Sequence, residues 1–475
     1  MKQSIAYIFI ALAACCAISC YKDLGNYKYN VPPAPVVKGL DSVYSATLGD
    51  TLIVAPTVTI AEKSPRLGFS WRIDNPKGDS SVYFTGPKLQ YVFGLPPNSY
   101  FAMLTITDSA DSMQYFYPFR VNGVTEYVKG TTILSVENGI SQLSFVDTLG
   151  KMQPRVYRAI NGQDLPPGPQ QLIPLADQYI VPVTTTCYWI ICGGSADPGV
   201  QIDANTLLPI NTLKGNFFKA PATLVPGSLS ASVFGTMEGV ISGKLYWGTN
   251  QTWNLAPTYG MFGQAPAGNY NLYHQLACNQ TFPYFLGYDS VKQQFVVFTN
   301  FGGPAYVGTA YKVTDSTAFS PITAGLKMLD FEQINDQNCY AFGTAADGTL
   351  YELKFGAAFM GIIQLSPQYK RPFIRSDLIL PDTKWASTPA EVFYFSSGST
   401  IYSYNPLSQQ VTALATNFNG QEITMLKVTD GGNTLITGVN GIVYFLDIST
   451  GRNGQLIREI DNVPGSPIDV AVRIQ

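Results

Sequence analysis

The chain has 475 residues, of which 13% are charged; its net charge is -3 and its sequence pI about 5.3. A slightly acidic, charge-poor chain lacks the electrostatic basis for nucleic-acid binding, and a hydrophobic content of 46% excludes wholesale disorder while allowing two or three cores. Abundant aromatic residues, Gly and Pro (29 Tyr, 27 Phe, 43 Gly, 32 Pro) argue against a helical protein and for an extracytoplasmic all-β one.

The first element is a leader. Lys2 supplies a positive start, Ile5 to Ala14 are apolar, and small residues then lead into cysteine, as in a secretory signal. The stretch is too short to span a membrane. Two lipoprotein-type frames compete, ending at Cys15 and at Cys20. The local pattern slightly favours Cys15, but the chain turns polar only after Cys20, which makes Cys20 the expected lipidated N-terminus. Residues 1–19 are then a signal peptide and 20–32 a linker. The bland alternative is an ordinary secreted protein with cysteines in its apolar region. Each buried acyl CH₂ contributes about 0.8 kcal/mol, so more than one chain would anchor the protein durably.

The run "CYKDLGNYKYN" (20–30) resembles the mature N-terminus of the PKD-like family of surface lipoproteins. Such proteins are encoded beside outer-membrane uptake systems of the starch-utilisation type, in which a TonB-dependent porin is capped by a binding lipoprotein. The resemblance implies a lipid-anchored outer-membrane protein, facing the cell exterior, with the porin and its lid lipoprotein as partners. Lys22-Asp23 loosely fits the charged export signal of such families.

From Pro33 to Val124 short alternating runs, "DTLIVAPTV", "LGFSWRI", "KLQYVF", "YFAMLTITD" and "QYFYPFRVNG", are separated by Pro, Gly, Asn and Asp, which predicts a small β-sandwich. Trp71 shares a strand face with Phe69 and Ile73, so it is expected in the core. The "FSWRI", "PPNSY" and "LTITD" runs resemble the PKD variant of the immunoglobulin-like sandwich, which implies a spacer or contact module.

Residues 125–475 repeat. A strand followed by a polar turn recurs around Ser144, Gln201, Tyr246, Tyr311, Tyr351, Tyr402 and Tyr444, mostly 40 to 57 residues apart, the period of a propeller blade. The last repeat shows four strands, "EITMLKV", "TLIT", "VYFLDIS" and "QLIREI", joined by Gly- and Asn-rich turns. The prediction is a seven-bladed β-propeller, with "IDVAVRI" (468–474) left over to pair near "TTILSV" (131–136) and close the ring. Two stacked sandwiches are the alternative, and would show no common period.

The single histidine, His274, excludes two-histidine metal sites and H-E-x-x-H motifs, and no nucleophile elbow, P-loop or G-x-G-x-x-G is present. No metal or cofactor is expected, and no catalytic residue is assigned. Asp203, Asp315 and Asp447 follow repeat strands and are expected to hold turns. Cys187 and Cys192 lie too far apart on one strand to be bridged; pairing of Cys278 with Cys339 stays open.

Between Tyr246 and Tyr311 the spacing stretches to about 65 residues, and the surplus (247–284) is rich in Trp, Tyr, Asn and Gln with little charge. Aromatic faces beside amides suit neutral glycans or peptides. The candidate binding residues are Trp253, Tyr259, Tyr270, Tyr273 and His274, with core packing as the alternative for the rings. The favoured function is a non-enzymatic surface lipoprotein that binds an oligomeric nutrient or docks onto the uptake complex. The rivals are a propeller lyase or glycosidase using paired carboxylates and a purely structural or adhesive surface protein.

Overall fold

The computed structural model describes residues 33–473 apart from 62–65, 76–79, 111, 177–184, 251–257, 280–283 and 301–302; the side chains of 278 and 279 are also outside the description. The leader, Cys20 and the linker therefore lie outside the described residues. The chain divides into two compact units, one up to Gly123 and one from Val124. No helix among the described residues is long and apolar enough to cross a membrane, which says nothing of β-barrels.

The first unit is built of strands throughout. A five-stranded sheet runs in the order Val43–Thr47, Gln114–Val124, Asn98–Asp108, Leu67–Asp74, Ser81–Thr85, and two strand pairs, Val36–Lys38 with Thr57–Thr59 and Thr51–Val54 with Leu89–Val92, accompany it. Alternation decides which residues enter the core: Tyr100, Ala102, Leu104 and Ile106 are buried while their odd-numbered neighbours are not. Trp71 is fully buried, donates Nε1–H to the Gly86 carbonyl at 2.8 Å and meets Phe119 edge-on with ring centroids 6.0 Å apart. This is the core role expected from its strand face.

In the second unit the described residues form seven sheets, taken here in chain order. The first combines Gly130–Glu137, Ile140–Asp147 and Met152–Gln153 with the last strand of the chain, Ser466–Arg473. That last strand pairs antiparallel with Gly130–Glu137, Ile133 opposite Val470. The second sheet runs Pro169–Ala176, Thr185–Cys192, Gly199–Asp203, Pro209–Thr212, and the third Pro226–Ala231, Met237–Ile241, Lys244–Trp247. The fourth begins with Leu272–Asn279, Tyr284–Asp289 and Gln294–Thr299; the fifth runs from Lys327–Asn335 through Asn338–Thr344 and Leu350–Phe359. The sixth contains Trp385–Ser387, Phe393–Ser397, Thr400–Asn405 and Gln410–Ala413, and the seventh Met425–Thr429, Thr434–Val439, Ile442–Asp447 and Gln455–Ile460.

One edge strand of each sheet meets its counterparts in the sheets on either side. Leu172 N–H donates to Asp469 Oδ2 at 2.8 Å, and the Gln171 amide brackets the backbone of Leu229. Ser228 meets His274; Gln275 donates to Asp330 and accepts from the N–H of Phe331; Ser387 donates to Glu332. Lys427 Nζ pairs with Asp469 Oδ1 at 2.7 Å, returning to the last strand of the chain. Polar side chains thus replace the ladder that strands of separate sheets cannot make. The apolar residues of each sheet fill the gaps between sheets: Ile173, Trp189, Met237 and Phe262 belong to one such cluster, and Ile133, Ile436, Phe445 and Val470 to another. The arrangement is propeller-like.

The structure corrects one repeat. Six of the seven predicted centres fall in the third strand of a sheet, but Tyr311 does not: the third strand of the fourth sheet is Gln294–Thr299. With Val297 as its centre, the intervals become 51 residues from Tyr246 and 54 to Tyr351. The 247–284 surplus shrinks accordingly, because Leu272–Asn279 is itself a strand. A break in register between Leu272 and Leu276 obscures its alternation.

Candidate functional site

A cavity of about 600 Å³ opens between the second and third sheets. Its floor is Trp189 and Met237, both buried in the gap between the sheets. Its walls present Phe234, 40% exposed, the half-buried ring of Tyr259, and the polar side chains of Gln201, Asn211, Asn216, Thr186 and Thr236. Among the described residues no Asp, Glu, Lys, Arg or His side chain lines it.

Local hydrogen bonds hold this lining. The Tyr259 hydroxyl donates to the Phe234 carbonyl, which fixes its ring beside the turn at 232–236. In that turn Ser232 N–H donates to Thr236 O at 2.7 Å, and the two hydroxyls bond each other. Asn216 Nδ2 donates to Gly260 O at 3.0 Å, tying two connecting segments together. Phe262 bridges Gly248 on one side and Phe217 on the other, so it stands beside the last of the three strands that the described residues give the third sheet. Gly248 permits this approach, since a Cβ there would stand 2.8 Å from the Gly260 carbonyl. Gln201 donates to the Cys187 sulfur at 3.1 Å. Burial pushes the Cys187 thiol pKa up, which disfavours the thiolate.

Of the five candidates named from the sequence, the four among the described residues do not gather in one site, although Tyr273 and His274 touch each other. Tyr259 lines the cavity. Trp253 lies outside the described residues. Tyr270 is 3% exposed, stacked on Tyr306 at 4.6 Å, with Lys244 Nζ 4.0 Å from its ring centroid and its hydroxyl donating to the Pro266 carbonyl. That environment is core, and desolvation pushes the phenol pKa up. Tyr273 is half-buried against the core of the fourth and fifth sheets and donates to the Leu329 carbonyl at 2.7 Å. His274 is exposed, packs its ring at 4.1 Å from that of Tyr273 and meets Ser228 through Nδ1 at 3.2 Å. Its pKa is lowered by desolvation, which keeps the ring neutral near pH 7. Both residues sit on the strand Leu272–Asn279 that the sequence reading took for loop.

Sequence reasoning passed over, as site residues, Gln201 and Asn211, which stand opposite each other on paired strands of the second sheet, and Phe234, which joins them only through the packing of the third sheet against the second. It also passed over Asp330 and Glu332. These two carboxyl groups stand two residues apart on the edge strand Lys327–Asn335. Asp330 is 2% exposed, with Oδ1 accepting from Gln275 Nε2 at 2.8 Å and Oδ2 buried without a partner. Desolvation, reinforced by the nearby Glu332 charge, pushes the Asp330 pKa up; Glu332 is pushed up by desolvation as well.

The turn aspartates behave as their positions suggest. Asp203 accepts from the N–H groups of Asn205 and Thr206, Asp315 from Thr317 and Asp447 from Ser449. Cys187 and Cys192 face different clusters, on opposite sides of their strand, and Cys339 is a buried free thiol. Among the described residues no three His, Cys, Asp or Glu side chains gather as a metal cluster.

Residues 20–169 match the PKD-like family. The match takes in the first unit and runs into the first sheets of the second. No curated protein matches the chain in sequence. Among solved structures, a quinonprotein alcohol dehydrogenase-like protein from Bacteroides thetaiotaomicron is 14% identical, with 93% of this chain and 99% of that one covered at a TM-score of 0.45. The periplasmic gluconolactonase of Pseudomonas aeruginosa is 10% identical, covering 73% and 99% at a TM-score of 0.44. A functionally unknown protein from Desulfotomaculum acetoxidans is 10% identical, covering 72% and 98% at 0.43.

Proposed function

We propose that the chain is a lipid-anchored surface protein of the outer membrane that holds a neutral, polar oligomer between its second and third sheets and performs no chemistry on it. The observation that carries this reading is the cavity lining, uncharged among the described residues, in which Phe234 and Tyr259 stand among amide and hydroxyl side chains. Rings cover apolar CH faces, and amides and hydroxyls satisfy the hydroxyls of a glycan or the backbone groups of a peptide. The volume of about 600 Å³ lies in the range of ligand sites. In this reading the seven sheets are the blades of a closed β-propeller whose mutually bonded edge strands surround its axis. Cys20 anchors the chain, the PKD-like part is the spacer, and a TonB-dependent porin with its lid lipoprotein is the neighbour on the membrane.

The experiment is a binding screen of neutral oligosaccharides and peptides against the wild type and a Phe234→Ala/Tyr259→Ala variant. Stacked aromatics contribute on the order of 1 to 2 kcal/mol each, so affinity should fall about a hundredfold while the melting temperature stays nearly unchanged. Unchanged affinity in a folded variant refutes the assignment.

A second reading, a glycosidase or lyase, has the Asp330 and Glu332 pair in its favour, since same-face residues two apart on a strand stand roughly 6 to 7 Å from each other, a separation that paired-acid catalysis uses. Against it, Asp330 is almost wholly buried and both groups are tied to neighbouring sheets through Gln275 and Ser387. Polysaccharide cleavage lost in Asp330→Asn would revive it.

A further inference from the structure

The gap between the seventh and first sheets encloses about 670 Å³, also within the range of small-ligand sites. Its lining is mixed: Val146, Met152, Ile460 and Val472 border it, over a core that includes Ile133, Phe445 and Val470, and Thr131, Asp147, Glu459 and Asp461 stand at its polar side. One cation stands in that setting. Arg458 lies opposite Phe445 in the seventh sheet, its guanidinium carbon 3.7 Å from the centroid of that ring. Across the gap its Nη2 makes a long donation, 3.4 Å, to Thr131 Oγ1 of the first sheet. Among the described residues no carboxylate forms an ion pair with it.

The acids nearby are turned to other work. Glu459 and Asp461 border the gap, but Glu459 lies opposite Tyr444, on the other face of its strand from Arg458, and Asp461 follows the strand's end. Asp147 on the first sheet accepts the N–H groups of Leu149 and Lys151 in its own turn. Arg473, although it borders the gap, sends its guanidinium the other way, to the carbonyls of Tyr127, Ala204 and Thr185. Arg458 is an exposed residue, and partial desolvation lowers its pKa, the direction expected of a cation laid against a ring without a counter-ion. The ring contact and the Thr131 hydroxyl hold the guanidinium at the gap, where its N–H fork can meet a planar anion.

We propose that this gap binds an amphipathic monocarboxylate, with the carboxylate on Arg458 and Thr131 and the apolar body against Val146, Met152 and Val472. The site is separate from the cavity between the second and third sheets and does not depend on the function assigned there. An uncharged ligand of the same shape would leave the guanidinium unpaired, and a cationic one would be repelled.

The test uses the full chain with octanoate and 1-octanol as probes, followed by calorimetry and by ligand-induced thermal shift. Octanoate should bind at least tenfold more tightly than octanol. Arg458→Gln should abolish that preference while the variant melts within a few degrees of the wild type, and Arg458→Lys, which keeps the charge and loses the fork, should retain only part of it. Val472→Trp, which narrows the gap with Arg458 intact, should weaken both probes. Equal affinity for the two probes on the wild type, a preference that survives Arg458→Gln, or octanoate binding unaffected by Val472→Trp would each overturn the proposal.

Discussion

Arg473 offers a direct probe of how the second unit is held together. It lies in the last strand of the chain, is 7% exposed, and makes no ion pair among the described residues. Its Nη1 donates to the carbonyls of Tyr127 and Ala204 at 3.2 and 2.7 Å, and its Nη2 to the Thr185 carbonyl and Asn205 Oδ1 at 3.2 and 3.1 Å. The side chain therefore ties the strand Ser466–Arg473 to the second sheet as well as to the segment that enters the first. Arg473→Ala removes four donations from a charged group and leaves buried carbonyls unpaired. Each unsatisfied group costs about 1 to 3 kcal/mol, but the desolvation of an unpaired guanidinium is relieved at the same time. A net loss of about 3 to 4 kcal/mol is expected. At roughly 2 °C per kcal/mol for a large unit, the melting temperature should fall by about 6 to 8 °C. Differential scanning calorimetry with urea unfolding measures both quantities. A variant within about 2 °C of the wild type would refute the view that this guanidinium clasps the last strand, and would leave the strand held by its backbone pairing with Gly130–Glu137 and by the Asp469 contacts to Leu172 and Lys427.

Three further outcomes are expected. Asp330 has a folded pKa raised above its unfolded value of about 3.9, so the folded state holds the proton more tightly and its stabilisation is lost as pH rises from about 4 through the raised value. Asp330→Asn should remove that slope, and urea unfolding at pH 5 and pH 8 should show the variant gaining on the wild type at the higher pH; a pH-independent difference contradicts this. Tyr270→Ala should cost roughly 3 to 5 kcal/mol of stability, as for a buried aromatic, and leave ligand affinity per folded molecule intact, which equilibrium unfolding and a binding assay on the same sample distinguish. Cys20→Ala should move the protein from the membrane to the soluble fraction, read by fractionation with labelled palmitate; label persisting in the variant points to Cys15.

Much of the architecture was legible in the order of residues. Alternation with a period of two marks strands without reference to anything distant, which is why Leu67–Asp74, Asn98–Asp108 and Gln114–Val124 lie where their patterns predict, and why Trp71 is in the core. Gly- and Asn-rich turns carry their own conformational demand, so the four strands of the last sheet and its turn at Asp447 were readable locally. The leftover run at the end of the chain found its partner, as the strand Ser466–Arg473, because Gly130–Glu137 is paired with Ile140–Asp147 on one edge and has its other edge open to it.

Local pattern failed where the structure is decided by sheets meeting one another. The fourth repeat was misplaced because "AYKVT" resembles the repeat strand, while the true third strand, "QFVVFT", is buried on both faces and shows no alternation. Tyr259 and Tyr270 sit eleven residues apart in similar aromatic, amide-rich sequence, yet one lines a cavity and the other stacks on Tyr306 in the core. Nothing in the chain adjacent to either ring distinguishes them; the difference lies in Phe234 and Tyr306, brought to them from elsewhere in the second unit. The same holds for Asp330 and Arg458, whose surroundings are set by the gaps between successive sheets. A sequence specifies the periodicity and the turns of each sheet, and the chemistry of the sites arises in the spaces between sheets, whose lining is assembled from residues tens to hundreds of positions apart.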